Sequence, residues 1–248
     1  MTLEQFFAEN REVAIAFSGG VDSAYLLYAA TRYAARVKAY YVSTAFQPEF
    51  ELADARRLAN ELGADMQVLH VDVLMSGAVT ANPSDRCYHC KNTLFRQILR
   101  AAENDGFPVL LDGTNASDDA GDRPGMRALR ELSVRSPLRE CGLTKAEIRR
   151  LSKEAGLFTW DKPAYACLAT RIRTGEEITL QKLKQTEKAE GFLFGLGFRD
   201  FRVRMVDNTA KLELREADLP LLLENREKIV TELRKDYDSV LLNLEVRK

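Results

Sequence analysis

The six residues Ser18-Gly19-Gly20-Val21-Asp22-Ser23 constrain this chain more than any other stretch. They follow an apolar run, Val13 to Phe17, and precede a helical pattern that reaches about Ala35. A buried strand therefore runs through a tight glycine turn into a helix N-terminus. Glycine permits positive φ and a close approach of backbone to a ligand. The first N–H groups of the helix and the positive end of its dipole then face an anion, with the Ser18 and Ser23 hydroxyls as further donors. Asp22 is the odd member. A carboxylate inside an anion cradle repels phosphate unless a cation lies between them, so Asp22 reads as a Mg²⁺ ligand. A glycine pair alone would be an ordinary strand–turn–helix junction; the whole hexamer in this setting points to nucleotide phosphate. No Gly-Lys-Ser/Thr follows it and the G-x-G-x-x-G spacing is absent, which sets aside two other phosphate loops.

The pattern downstream alternates strands with helices. Strands are expected at Val37 to Ser43, Met66 to Val71 and Pro108 to Leu111, with helices at residues 2–10, Phe50 to Leu62 and Lys91 to Glu103. Gly63 closes the second of these helices as a C-cap. Residues 73–86 read as a loop, and Ser136 to Leu138 as a last extended piece of the sheet. A helix from Lys145 to Ala155 has a clear start, with Thr144 as N-cap and Glu147 completing a capping box. Such alternation predicts an α/β fold with a doubly wound parallel sheet and right-handed crossovers. Ligands in these folds sit beyond the carboxyl ends of the strands. Three stretches fall on that edge: the Ser18 loop, residues 43–48 beginning with Ser43, and Asp112-Gly113-Thr114-Asn115.

Beyond Pro163 the organisation changes to helix, two strands, helix and a last strand at Val240 to Val246. A small α+β domain is expected there, with domains at 1–170 and 171–248. The net charge of −1 gives no general attraction to nucleic acid or to an anionic membrane. No apolar run approaches the roughly 20 residues of a membrane span, and the N-terminus lacks the layout of a secretory signal. A cytoplasmic protein with no nucleic-acid and no membrane partner is expected.

Four cysteines, two of them as C-x-x-C, suggest metal or redox chemistry before disulfides in such a chain. Cys87 and Cys90 could hold a metal or cluster, form a redox dithiol, bind structural zinc with His89 or Cys167, or be small buried apolar groups. Cys167 lies close to Arg171 and Arg173, which would favour its thiolate. Cys141, alone before Gly142, reads as a core residue. His70 ends an apolar strand and reads as a sheet-end histidine. Phe192, Phe194 and Phe198 read as core of the small domain. Arg202 and Arg204 alternate on one strand and share a face, which suits phosphate as well as a solvated surface.

Taken together these stretches resemble the PP-loop ATP pyrophosphatases, with the adenine nucleotide alpha hydrolase-like fold, and among them the LarE-type sulfur transferases of nickel-pincer nucleotide biosynthesis. The stretches are SGGVDS at 18–23, C-x-x-C-K-N-x-L-F from Cys87 to Phe95, DGTN at 112–115 with Asp118, Asp119 and Asp122-Arg123-Pro124-Gly125, CLATR at 167–171, and FRVR at 201–204. The resemblance implies that ATP adenylates a carboxylate of a pyridinium dicarboxylate mononucleotide and that sulfur then replaces AMP. It puts the sulfur-bearing cysteine at Cys167, ATP on Ser18, Gly19, Gly20, Asp22, Ser23, Ser43, Gly113 and Thr114, and substrate-phosphate binding and assistance of sulfur transfer on Arg202, Arg204 and Glu190, with Arg171 a further cofactor-binding candidate. Some members sacrifice the sulfur of their single cysteine and keep dehydroalanine. Cys87, Cys90 and Cys167 together resemble the subset that holds a four-iron, four-sulfur cluster whose open iron carries a labile sulfide. The resemblance also implies a ring-like homo-oligomer, a hexamer. Three other functions compete: a tRNA thiolase, which calls for a broad basic surface; an ammonia-dependent amidating ligase, which needs no cysteines; and a non-catalytic nucleotide-binding regulator with structural zinc, against which the intact Asp22 argues.

Overall fold

The structure, a computed structural model, describes residues 1–118 and 124–247. Asp119, Asp122 and Arg123 of the sequence motifs lie outside the described residues. Two compact units emerge, Met1–Val73 with Asp85–Lys162, and Leu74–Ser84 with Pro163–Lys248. The chain begins α1 (Leu3–Glu9), β1 (Glu12–Ala16), α2 (Val21–Tyr33), β2 (Arg36–Ser43), α3 (Glu49–Glu61) and β3 (Met66–His70). The short α4 (Gly77–Thr80) follows within the second unit. Then come α5 (Arg86–Asn104), β4 (Val109–Leu111), α6 (Pro124–Glu131), α7 (Pro137–Glu140) and α8 (Lys145–Glu154).

The first unit is the expected α/β fold. Its four strands are parallel in the order β3-β2-β1-β4, so the order reverses beside β1. Both faces are covered, as a parallel sheet requires. Val13 and Ile15 of β1 turn to a core shared with α1, α2, α3 and α8, whereas Ala14 joins Tyr40 and Leu110 against Ile98 and Ala102 of α5. This alternation is the period-2 pattern of a strand, with each large buried side chain contributing about 1.5–3 kcal/mol. The Thr144–Glu147 capping box forms as read, and Gly63 takes φ 60° after α3.

Three local expectations are corrected. Helix α5 begins at Arg86 instead of Lys91, so Cys87 and Cys90 lie inside its first turns; no glycine or proline interrupts residues 86–91. Residues 73–86 contain a short 3₁₀ turn and α4 where a plain loop was expected. The last extended piece is a single pairing of Arg135 with Leu111, and Pro137 opens α7 because its fixed φ suits a first helical turn.

The second unit adds α9 (Leu180–Gly195), β5 (Arg202–Val206), β6 (Thr209–Glu213), α10 (Leu219–Glu224), α11 (Arg226–Leu233) and β7 (Ser239–Leu242). Strands β5 and β6 form a hairpin and β7 runs parallel to β6. Phe198 and Phe201 are buried in its core, with Phe192 and Phe194 packed against them. The single helix expected between the hairpin and the last strand breaks at Asn225 into α10 and α11, and β7 ends at Leu242 instead of Val246. Within this unit Asn82 ties two distant segments: its side-chain amide donates to the Arg173 carbonyl at 2.8 Å, and its own carbonyl accepts from the Gly175 N–H at 2.8 Å. Among the described residues no helix is long and apolar enough to cross a membrane.

Candidate functional site

The Ser18–Ser23 loop joins β1 to α2 at the carboxyl edge of the first sheet. Gly19 takes φ 72°, which the turn requires. The Ser23 hydroxyl donates to the Gly20 carbonyl at 3.2 Å and lies 3.0 Å from the Ser18 hydroxyl. Gly20 is the N-cap of α2 and brings no side chain to its first N–H groups, so these are available to an anion. Gly113 packs directly on this turn: a Cβ there would stand 2.9 Å from the Ser23 nitrogen. The loop, Asp112 to Thr114, Asp118 and Lys91 together line a cleft of about 290 Å³. A second cleft of about 360 Å³ shares Lys91, Thr114 and Asp118 with it and is also lined by Cys87.

Asp22 carries the electrostatic problem of the site. Its Oδ2 accepts from Lys145 Nζ at 2.6 Å, and its Oδ1 is buried without a hydrogen-bond partner among the described residues. Burial pushes the Asp22 carboxyl above the usual carboxylate range, Lys145 pulls it back, and Asp118 pushes the same way as burial. An orphaned carboxylate oxygen beside a phosphate cradle fits a divalent cation, which takes oxygen ligands. Asp112 is also buried, and its carboxylate accepts from the Thr114 hydroxyl at 2.5 Å and the Ser136 hydroxyl at 2.6 Å. These bonds fix the loop after β4. The chain continues through the Ser117 hydroxyl, which accepts from the Lys145 N–H at 2.9 Å and so anchors the start of α8.

Ser18, Gly20, Asp22, Ser23, Gly113 and Thr114 all line this one cleft. Gly19 shapes the turn from behind, its Cβ position 3.2 Å from that of Ala55 in α3. Ser43 ends β2, where its carbonyl accepts from the Val71 N–H, and does not line the cleft. Sequence reasoning missed Lys91, which the K of C-x-x-C-K could have flagged, and Lys145, whose only signal was its place just after a helix cap. Cys87 is exposed and Cys90 half-buried on one side of α5, three residues apart. Cys141 is half-buried against the first core, and burial raises its thiol pKa, which fits the packing role. Among the described residues no group of three or more His, Cys, Asp and Glu gathers to hold a metal ion.

In the second unit Cys167 precedes a 3₁₀ turn, Leu168–Arg171. Arg171 is buried and pairs with Glu190 of α9 through two bonds of 2.8 and 3.0 Å. Arg202 and Arg204 alternate on β5 but differ in commitment. Arg204 donates to Glu213 at 2.7 Å and to the Thr170 carbonyl at 2.6 Å. Arg202 has a buried Nε without a hydrogen-bond partner among the described residues; burial, then the like charges of Arg171, Arg247 and Arg204, lower its pKa. A guanidinium so placed suits an anion.

Residues 4–117, which hold the loop and all of the cleft lining but Asp118, match the asparagine synthase family. The chain is 34% identical over 218 residues to pyridinium-3,5-bisthiocarboxylic acid mononucleotide synthase of Lactiplantibacillus plantarum, covering 87% of this chain and 79% of that protein. It is 39% identical over 215 residues to an uncharacterized protein of Synechocystis sp., covering 86% and 80%. An uncharacterized protein of Methanocaldococcus jannaschii is 31% identical over 240 residues, covering 96% and 91%. With a phosphate loop of this geometry and likeness of this extent, the chain belongs to the PP-loop family of the pyridinium-3,5-bisthiocarboxylic acid mononucleotide synthases and is an ATP-dependent sulfur-transferring enzyme.

Proposed function

We propose that this enzyme adenylates a carboxylate of pyridinium-3,5-biscarboxylic acid mononucleotide and converts it to a thiocarboxylate. What carries the reading is the possession of two sets of groups: a nucleotide cleft built around Asp22 in the first unit, and Cys167 with the uncommitted Arg202 in the second. The likeness to the Lactiplantibacillus synthase supports the choice of substrate. The helix N-terminus and the Ser18 and Ser23 hydroxyls bind the ATP phosphates, and Lys91 adds a positive charge to the cleft. Mg²⁺ on Asp22 Oδ1 would neutralise charge on the phosphates. The substrate carboxylate oxygen attacks the α-phosphorus and pyrophosphate leaves. AMP is then a leaving group that a carboxylate oxygen alone is not.

The sulfur comes from Cys167 or from a sulfide held with Cys87, Cys90 and Cys167. In the first route the Cys167 thiolate attacks the acyl carbonyl and AMP departs. Removal of the Cys167 α-proton then breaks its Cβ–S bond, leaving dehydroalanine and the thiocarboxylate. In the second route a four-iron, four-sulfur cluster would supply a labile sulfide and Cys167 would stay intact. The i, i+3 thiols of Cys87 and Cys90 suit two cluster ligands, and a ring-like homo-oligomer is part of the same reading. The deciding experiment is anaerobic turnover followed by iron and sulfide analysis and intact mass. Thiocarboxylate with loss of one hydrogen sulfide from the chain supports the sacrificial route, whereas several turnovers with inorganic sulfide supplied, at unchanged mass and with iron bound, support the cluster. No thiocarboxylate in either case overturns the proposal.

The phosphate of the substrate mononucleotide is assigned to Arg202 first. Arg202→Ala is expected to weaken mononucleotide binding about 10- to 100-fold, the effect of one charge-assisted hydrogen-bonding group. ATP affinity should hardly move. Arg204→Ala should cost less affinity and more stability, because it strands Glu213 and frees the Thr170 carbonyl. Isothermal titration with each ligand checks both, and equal loss of ATP and mononucleotide affinity would mean that the phosphate binds elsewhere.

A further inference from the structure

The Arg171–Glu190 pair is almost wholly removed from water, with side-chain exposures of 1% and 2%. Arg171 donates from all three of its side-chain nitrogens. Its Nε and one terminal nitrogen grip Glu190, and the other terminal nitrogen donates to the Ala166 carbonyl at 2.8 Å and the Thr170 hydroxyl at 2.9 Å. The Thr170 hydroxyl in turn donates to the Cys167 carbonyl at 2.8 Å. The carbonyls on both sides of the Cys167 Cα are thus held: that of Ala166 by Arg171 directly, and that of Cys167 through Thr170 and by a longer bond of 3.5 Å from the same Arg171 nitrogen.

Glu190 has nothing left to offer a substrate. Oε1 accepts from Arg171 Nε and from the Val203 N–H at 2.9 Å, while Oε2 accepts from the other Arg171 nitrogen and from the Tyr165 hydroxyl. A carboxylate has about four acceptor sites, and all are filled here. Burial works against the Arg171 charge, yet Glu190 overcomes it and keeps the guanidinium pKa above its ordinary value. Tyr165 closes the cluster, its ring centroid 4.7 Å from the guanidinium carbon.

We propose that Glu190 and Arg171 are positioning residues for sulfur transfer: the buried pair clamps the backbone around Cys167, and Glu190 acts only through Arg171. The inference rests on the reading of Cys167 as a sulfur-transfer residue, but the clamp itself can be tested without substrate. Arg171→Met, Glu190→Gln and the double variant are compared by hydrogen exchange and by single-turnover thiocarboxylate formation. Amide exchange of residues 164–172 is expected to speed up about tenfold or more in each single variant, and no further in the double, while β5 and β6 keep their protection. Thiocarboxylate formation is expected to fall about 100-fold in each single variant and in the double alike, with pyrophosphate release within about threefold of the unaltered enzyme. Losses that multiply in the double variant would mean that Glu190 acts on its own, and unchanged exchange at 164–172 would remove the clamp. Loosening of the whole unit would reduce the pair to a fold element. Should the unaltered enzyme make no thiocarboxylate, the proposed function falls, and the exchange result still decides the clamp.

Discussion

Asp22→Asn is expected to abolish pyrophosphate formation while leaving the protein folded. The substitution keeps the shape of the side chain and removes its charge. Two consequences for folding oppose each other. Burial already disfavours the charged carboxyl, so a neutral amide relieves a desolvation cost, while Lys145 loses its partner at 2.6 Å. The melting temperature should therefore change by only a few degrees. The effect on catalysis has no such compensation. The oxygen that fits a cation, Oδ1, stands beside the phosphate cradle without a hydrogen-bond partner among the described residues. An amide oxygen there binds a divalent ion far more weakly, and an amide N–H₂ turned that way repels it. A loss of about a thousandfold or more in pyrophosphate release is expected, the scale seen when preorganised charge is taken from developing phosphate charge. The measurement is a coupled pyrophosphate assay over a range of Mg²⁺ concentrations. Turnover within a few fold of the unaltered enzyme would sink the assignment of Asp22.

Much of this site is legible because it is local. The hexamer at 18–23 states its own conformation, since two glycines between an apolar run and a helical pattern leave few alternatives. The same holds for Thr144 and Glu147, which determine a helix start within four residues. That the sheet is parallel follows from alternation of strands and helices, although periodicity alone does not separate a weak extended segment from a first helical turn. Arg135 and Pro137 show this: one residue pairs with β4 and the chain then turns into α7.

The long-range pairs are illegible for a physical reason. Lys145 meets Asp22 across 123 residues of chain, and nothing in the pattern around α8 distinguishes it from a surface lysine at a helix start. Arg171 and Glu190 look like ordinary charged positions in a turn and a helix, yet both are 1% exposed. A buried ion pair depends on two surfaces meeting, and each partner alone carries no sequence signal of burial. The resemblance marked Glu190 as a residue of interest, and only its filled acceptor sites direct it to a positioning role. The arginines of β5 illustrate the same limit. Their alternation shows a shared face, but which of the two is free depends on Glu213 and Thr170, which lie on neighbouring elements.

Gly113→Ala is expected to be the most damaging single-methyl change in the first unit. Its role is not conformational freedom in the left-handed region. It is proximity: an added Cβ would meet the Ser23 nitrogen at 2.9 Å, the Ser23 Cα at 3.1 Å and the Asp22 carbonyl carbon at 3.3 Å. All three are backbone atoms in the first turn of α2, so no side chain can swing away. Either the turn after β4 or the start of α2 must shift. The first is held by Asp112, whose carboxylate is bonded to Thr114 and Ser136, and the second is packed into the core through Val21, Ala24 and Leu27. Overpacking of this kind costs about 1–3 kcal/mol. The functional cost should exceed the stability cost, because displacement falls on the N–H groups and hydroxyls that hold the phosphates. ATP affinity is expected to fall about 100-fold, since a shift of about 1 Å in such a constellation has effects of that size. Gly191→Ala is the control. It lies in α9 with nothing within 4 Å of its Cβ position, so it should leave ATP binding alone and stabilise the second unit by about 0.5–1 kcal/mol through helix propensity. Thermal melts and ATP titrations of both variants separate the outcomes. If Gly113→Ala binds ATP as tightly as the unaltered protein, the turn after β4 yields easily and the close packing of Gly113 on α2 does not shape the nucleotide site.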